Sequence, residues 1–165
     1  PLTNPAECKH QVLGVYDKKW LRPLAEVLQK LGSKHVLIVH SADGLDELSI
    51  AAPSYVAELK NGEITEYEVT PEQFGLTRGN LKDIVVESAT ESLALIKKSL
   101  KETESTASQM LALNAGAALY AADVVTTLAN GVAMAQDLMS TGQALHKFSE
   151  FVEFTRALKA EGNDE

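Results

Sequence analysis

The strongest constraint on the fold of this chain is the stretch from His35 to His40, "HVLIVH", whose centre is entirely apolar. A short, uninterrupted run of branched aliphatic residues such as this one is typical of a strand that is covered on both faces. A second β-prone run, "QVLGVY", extends from Gln11 to Tyr16, and apolar residues recur at helical spacing between Trp20 and Leu31. Strand, helix and strand within about thirty residues predict a βαβ unit with parallel strands. We therefore expect an α/β fold with a parallel-core sheet.

Local signals place the ends of these elements and extend the sheet. Asp17 is a plausible helix cap, Pro23 predicts a late or distorted start of the helix, and Gly32 marks its end. Asn61-Gly62 between two alternating runs predicts a β-hairpin. From Leu81 onward the pattern is helical, so we expect a C-terminal run of helices to pack on the sheet. Glutamates along the hairpin predict a solvated face or an edge strand: Glu58, Glu63, Glu66 and Glu68.

The composition excludes several classes of function. The formal net charge is -8 at pH 7, and arginine occurs only at Arg22, Arg78 and Arg156, whereas a nucleic-acid-binding protein normally carries a basic stripe. No apolar run approaches the roughly 18 to 20 residues that a membrane-spanning helix needs. The 10 glycines are scattered, so the sequence contains no glycine-rich loop that could cradle a phosphate. Cys8 is the single cysteine, which precludes an internal disulfide and favours a reducing cytoplasm.

The segment directly after the apolar strand is the main candidate site. It reads "HSADGLDELS" from His40 to Ser49 and sets Asp46 beside Glu47. Ligands of open α/β sheets bind beyond the carboxyl ends of the strands, which is where this segment is expected to lie. The two carboxylates can be solvated surface, can cap a short helix, or can hold Mg²⁺, which prefers oxygen ligands. Spacing alone leaves these three interpretations open.

Other reactive side chains have simpler interpretations. His35 and His40 bracket the strand, but a zinc site needs further ligands at close spacing, so hydrogen-bonded structural histidines are expected. Cys8, His10 and Asp17 lie near one another without the glycine elbow that accompanies a nucleophilic triad. Aromatic residues of the last helical segment predict core or interface packing: Phe148, Phe151 and Phe154.

Several motifs, taken together and in this order, resemble one enzyme family. They are "PLTNPA" at Pro1 to Ala6, "GVYD" at Gly14 to Asp17, "PLAEVLQKLG" at Pro23 to Gly32, "IVHSADGLDELS" at Ile38 to Ser49, "LNAGAALY" at Leu113 to Tyr120 and "GVAMAQDLMSTGQAL" at Gly131 to Leu145. Together they resemble the C-terminal half of anthranilate phosphoribosyltransferases. The resemblance implies transfer of phosphoribosyl from PRPP to the amine of anthranilate, with release of pyrophosphate, in tryptophan biosynthesis.

The resemblance also implies roles for particular residues. Asp46 and Glu47 become the pair that holds Mg²⁺ at the PRPP pyrophosphate, and Pro1 corresponds to a proline lining the anthranilate channel. Residues 1–165 become the C-terminal portion of the large α/β domain, in a complete protein that forms a homodimer. The family's glycine-rich PRPP loop and its anthranilate-contacting arginine have no counterpart in this sequence. We therefore expect the chain alone to be inactive.

Two alternatives remain at this stage. A pyrimidine nucleoside phosphorylase-like domain shares the expected fold, although "PLTNPA" together with "DGLDE" argues against it. A noncatalytic assembly module, in which the helical half presents a surface to a partner protein, is the alternative from another functional class.

Overall fold

A computed structural model of the chain, which describes residues 2 and 5–161, contains a 4-stranded sheet with helices on both faces. The strands are β1 (His10–Gly14), β2 (His35–Ser41), β3 (Ser54–Lys60) and β4 (Glu63–Val69). The helices are α1 (Leu21–Lys30), α2 (Ala89–Ser99), α3 (Thr106–Ala121), α4 (Leu128–Ser140) and α5 (Gln143–Glu161). The strand order is β1-β2-β3-β4, with β1 and β2 parallel and the other pairs antiparallel. The predicted α/β class is confirmed.

The centre of strand β2, Val36 to Val39, is apolar because both of its faces are covered. Val36 and Ile38 pack with buried residues of α1 in one core cluster. Leu37 and Val39 pack with buried residues of α3 in a second core cluster on the opposite face. Because β1 and β2 are parallel and in register, with Gly14 paired to Val39, their carboxyl ends reach the same edge of the sheet.

The connection from β1 to α1 explains how a proline is accommodated near a helix start. Asp17 caps a 3₁₀ turn over Lys18–Trp20 by accepting a hydrogen bond from the Lys19 N–H. Helix α1 begins directly afterwards, so Pro23 lies in its first turn, where its missing N–H breaks no helical hydrogen bond. Gly32 follows the helix with φ of 77°, a left-handed conformation that glycine adopts without a steric penalty.

The β3–β4 hairpin turns at the predicted dipeptide. Asn61 and Gly62 both have positive φ, 52° and 81°, which is the requirement of a type I′ turn. Strand β4 is an edge strand, and Glu63, Glu66 and Glu68 on it are exposed as predicted. The prediction is wrong for Glu58, which lies on β3 and is only 8% exposed. Its carboxylate is enclosed by a histidine and two tyrosines that the hairpin pattern does not reveal.

The helical half forms a layer behind the sheet. Helix α3 packs against β1 and β2, and α4 packs closely on α3. A Cβ atom added to Gly131 of α4 would lie 2.2 Å from the carbonyl oxygen of Gly116 in α3, so the two backbones touch. Helix α5 lies outside this layer, and Phe151 and Phe154 are each 62% exposed, so these residues are not part of the core. Within the described residues, none of the helices is long and apolar enough to cross a membrane.

Candidate functional site

The loop that follows β2 carries Asp46 and Glu47 at the carboxyl edge of the parallel strands. Both side chains are exposed, and residues 42–53 contain no helix, so neither carboxylate caps one. Neither carboxylate has a hydrogen bond or an ion pair with any residue that the structure describes. Their acceptor oxygens are therefore available to a ligand.

A third acidic residue of the same loop has a structural role. The Asp43 carboxylate accepts hydrogen bonds from the hydroxyls of Ser41 and Ser49, the second with a distance of 2.6 Å. The Ser41 hydroxyl also accepts from the Leu45 N–H at 2.9 Å. Gly44 has φ of 92°, which allows the tight turn between them. Asp43 thus stabilises the conformation of the loop, whereas Asp46 and Glu47 have no such hydrogen bond with a described residue.

Asn114 of α3 fixes the far end of the loop. Its side-chain oxygen accepts from the Leu48 N–H at 3.0 Å, and its amide nitrogen donates to the Leu48 carbonyl at 2.9 Å and to the Met110 carbonyl at 3.1 Å. The sequence did not identify this residue as functional. Its only signal is its place in "LNAGAALY", one of the motifs that carry the family resemblance.

Gly14, the last residue of β1, lies directly against the backbone of the loop at Asp46. A Cβ atom at this position would lie 1.7 Å from the Asp46 carbonyl oxygen, far closer than van der Waals contact allows. The absence of a side chain therefore lets the loop backbone lie directly on the end of the strand. Gly14 and Asn114 together hold the segment that presents the two carboxylates.

A groove of about 240 Å³ borders this loop. Its polar lining residues are Glu47, Ser99 and Asn114, and apolar side chains of α2, α3 and the segment before α2 form most of the remaining lining. Its apolar lining residues are Ile84, Leu95, Ile96, Ala107, Met110 and Leu111. Glu47, which follows Asp46 in the loop, thus borders a concave surface that combines a few polar groups with a mostly apolar lining, which is the usual composition of a small-molecule site.

The other residues singled out from the sequence do not join this loop. His40 places Nδ1 2.8 Å from the Val15 carbonyl oxygen, so it is the structural histidine that was predicted. Cys8 is exposed, and His10 and Asp17 lie at opposite ends of β1, so these three form no triad. The remaining predicted site residue, Pro1, lies outside the described residues.

A second polar cluster occupies the opposite, amino edge of the parallel strands. His35 is 1% exposed and lies between the carboxylates of Glu58 and Asp123. The hydrogen bond from His35 lowers the pKa of Asp123. Burial, together with the Glu58 carboxylate, raises the pKa of Tyr120 to about 12 and the pKa of Tyr67 still further. The cluster joins the sheet to the end of α3.

Comparison with known proteins identifies the family to which the chain is similar. The family model described as "Glycosyl transferase family, a/b domain" matches residues 1–145. The anthranilate phosphoribosyltransferase of Pseudomonas putida is 57% identical to this chain, over 98% of the chain and 47% of the relative. That of Marinomonas sp. (strain MWYL1) is 55% identical over 94% and 46%. The chain thus spans about half the length of the curated relatives it matches.

Solved structures agree in fold. The anthranilate phosphoribosyltransferase from Thermus thermophilus superposes with a TM-score of 0.84 at 38% identity, over 94% of this chain and 46% of that one. The Saccharomyces cerevisiae enzyme in complex with PRPP and Mg gives a TM-score of 0.76 at 20% identity, over 87% and 42%, a likeness of fold alone. The resemblance recognised in the sequence is confirmed, and the chain belongs to the glycosyl transferase family through its a/b domain.

Proposed function

We propose that this chain is the portion of an anthranilate phosphoribosyltransferase that supplies the Asp46 and Glu47 carboxylates to the Mg²⁺ of bound PRPP. One observation carries the proposal: two adjacent carboxylates, which pair with none of residues 2 and 5–161, stand on a fixed loop at the carboxyl edge of the sheet. The high identity to curated anthranilate phosphoribosyltransferases supports this choice of reaction over a nucleoside phosphorylase.

The donor set of the loop fits magnesium. Ionised carboxylates offer only acceptor oxygens, and Mg²⁺ is usually bound through one or two of them together with waters and substrate phosphates. A buried, hydrogen-bonded pair would fit poorly, but both of these side chains are exposed. When bound, the ion would neutralise charge that develops on the departing pyrophosphate.

The chain's own residues contribute position rather than acid–base chemistry. Asp46 and Glu47 attract the cation to the rim of the groove, and Asn114 and Gly14 keep the loop that carries them in place before substrate arrives. A site held in advance loses less entropy when its ligands bind. From the family resemblance, Pro1 is proposed to line the anthranilate channel.

The remaining expectations belong to the same proposal. Residues 1–165 form the C-terminal portion of the large α/β domain of a cytoplasmic, homodimeric enzyme. The chain alone is inactive, because its sequence offers no glycine-rich loop or arginine cluster for the phosphates of PRPP.

The test uses a full-length hybrid in which residues 1–165 replace the matching segment of the Pseudomonas putida relative. We expect the Asp46→Asn, Glu47→Gln double variant to lose at least about 100-fold in kcat/KM for PRPP, the usual scale for removing electrostatic stabilisation of a transition state. The control is the Glu63→Gln, Glu68→Gln variant, which removes two exposed carboxylates of the edge strand. Turnover that is equal in the two double variants would contradict the proposal.

A further inference from the structure

We propose that His10, His35 and Asp123 form a binding site for a divalent transition-metal ion such as Zn²⁺. His10 begins β1, His35 begins β2, and the two are paired in the sheet register. Asp123 lies just beyond the end of α3. One ligand atom from each of the three residues lies within 4.8 Å of the others. The site is at the opposite edge of the sheet from Asp46 and Glu47.

The buried surroundings of His35 prepare one ring nitrogen as a ligand. Its Nε2 lies 3.0 Å from Oε1 of Glu58. Glu58 also accepts hydrogen bonds from the hydroxyls of Tyr67, at 2.9 Å, and Tyr120, at 2.7 Å. Glu58 thus occupies Nε2 of His35 with a hydrogen bond, and Nδ1, on the opposite side of the ring, is the atom that would face a metal ion. A carboxylate behind a histidine is the usual outer partner of a metal-binding imidazole.

Asp123 is placed by an unusual backbone conformation. Its φ is 56°, in the left-handed region that residues other than glycine rarely occupy. This conformation puts Oδ1 2.7 Å from Nδ1 of His35 and Oδ2 3.6 Å from Nδ1 of His10. Nδ1 of His35 and Oδ1 of Asp123 are thus within hydrogen-bond distance of each other, and a metal ion bound between them would replace this direct contact.

The ligand spacing needs only local adjustment. Ligand atoms of a tetrahedral zinc site are about 3.3 Å apart, from bond lengths of about 2.0 Å. The Asp123 side chain is 52% exposed, so it can retreat from His35 by that difference. His10 must give up a contact of Nδ1 with the Ala121 carbonyl at 2.7 Å, and its side chain, 35% exposed, has room to turn.

One neighbouring cation has to be accommodated. Lys60 Nζ lies 4.0 Å from Asp123 Oδ1 and also stacks over the Tyr120 ring at 4.3 Å from its centroid. The ring contact holds the ammonium without help from Asp123. A cavity of about 380 Å³, lined in part by His35, Lys60 and Asp123, gives an ion access to the site. Two imidazoles, one carboxylate and a water suit Zn²⁺ or Co²⁺ and not Mg²⁺, which prefers oxygen ligands.

Such an ion would tie the amino ends of β1 and β2 to the end of α3. A ligand that binds only the folded state stabilises it by mass action. Zinc is therefore expected to raise the melting temperature of the protein, whether or not the protein turns over a substrate.

The test is titration of the full 165-residue chain with Zn²⁺ and with Co²⁺, followed by calorimetry, by visible absorption of the cobalt form and by thermal unfolding. We expect one ion per chain, a tetrahedral cobalt spectrum and no competition from excess Mg²⁺. His10→Ala and Asp123→Gly are each expected to weaken binding at least about tenfold. Glycine at position 123 keeps the left-handed backbone, so that variant is expected to fold, which circular dichroism checks.

The controls separate this site from other possible ligands. Asp46→Asn with Glu47→Gln is expected to retain zinc binding, so the outcome is independent of the proposed enzyme function. Cys8→Ser is also expected to retain it, which excludes the exposed thiol as the principal ligand. Absence of stoichiometric zinc binding by the unaltered chain would overturn the proposal. Binding that is unchanged in both His10→Ala and Asp123→Gly would overturn it as well.

Discussion

Asn114 determines the position of the acidic loop through both backbone polar groups of Leu48. The proposed magnesium ligands Asp46 and Glu47 therefore depend for their position on an amide in a different part of the sequence. Proteins commonly place functional side chains on loops and hold those loops with side chains from the scaffold.

We expect Asn114→Ala to lower the free energy of unfolding by about 1–3 kcal/mol, because partly buried backbone groups lose their partners. Asn114→Asp keeps an acceptor for the Leu48 N–H but points a second carboxylate oxygen at the Leu48 and Met110 carbonyls, so a loss at least as large is expected. Urea denaturation of the chain measures both. Gln29→Ala is the matched control, since this exposed amide also donates to a backbone carbonyl, that of Gly62. Equal free energies of unfolding of the Asn114→Ala variant and the control would contradict a stabilising role for the Asn114–Leu48 hydrogen bonds.

The Glu72–Arg78 pair predicts part of the acid sensitivity of the fold. Hydrogen bonds from the Arg78 side chain, the nearer at 2.7 Å, lower the pKa of Glu72 from 4.5 to about 2. A carboxyl whose pKa falls on folding stabilises the native state above its unfolded pKa, and this contribution is lost as the pH falls from about 4.5 to about 2. Glu72→Gln is therefore expected to reduce the pH dependence of unfolding in that window. Urea midpoints measured from pH 2 to 5 test this, with Glu63→Gln as the control. If the midpoint of the Glu72→Gln variant changed with pH as steeply as that of the unaltered chain, the role of the Glu72–Arg78 pair would be contradicted.

Among the secondary-structure elements, helices α3 and α4 are in contact through the backbones of their glycines. A Cβ on Gly131 would overlap the Gly116 carbonyl oxygen, so Gly131→Ala is expected to force the helices apart and to destabilise the protein by about 1–3 kcal/mol. Asn130→Ala, at the exposed position next to it, is the control and is expected to be nearly neutral. Thermal unfolding measures both variants. If Gly131→Ala raised stability through its better helix propensity, the close contact would be disproved.

The elements themselves could be predicted because their signals are local. The apolar run of β2, the Asn61-Gly62 turn and the glycine that follows α1 each depend on a few adjacent residues. The carboxyl-edge position of Asp46 and Glu47 followed from the βαβ order, and their magnesium-binding role came from the family resemblance and stays a prediction. Spacing alone left that role open.

The features that the sequence did not reveal all depend on long-range contacts. Asn114 reaches Leu48 across 66 positions, and Asp123 reaches His35 across 88. Glu58 looked like one more glutamate of a solvated hairpin, but His35, Tyr67 and Tyr120 enclose it only once α3 has packed on the sheet. Periodicity reports which face of an element is buried, but it does not report which polar groups meet across the core.

At the scale of the whole molecule, the two edges of the parallel strands carry different polar groups. The carboxyl edge presents the two carboxylates proposed to bind magnesium, and the amino edge presents the two imidazoles and the carboxylate proposed to bind a transition metal. The chain spans about half of each relative that it matches, so its activity has to be measured in a full-length context.

The proposed binding of the PRPP-associated magnesium by Asp46 and Glu47 can be measured by calorimetric titration of the Pseudomonas putida hybrid with PRPP, with and without Mg²⁺. We expect Mg²⁺ to strengthen PRPP binding to the unaltered hybrid. We expect this enhancement to be at least about tenfold smaller in the Asp46→Asn, Glu47→Gln variant. The same magnesium enhancement in the double variant and in the unaltered hybrid would contradict the proposed binding.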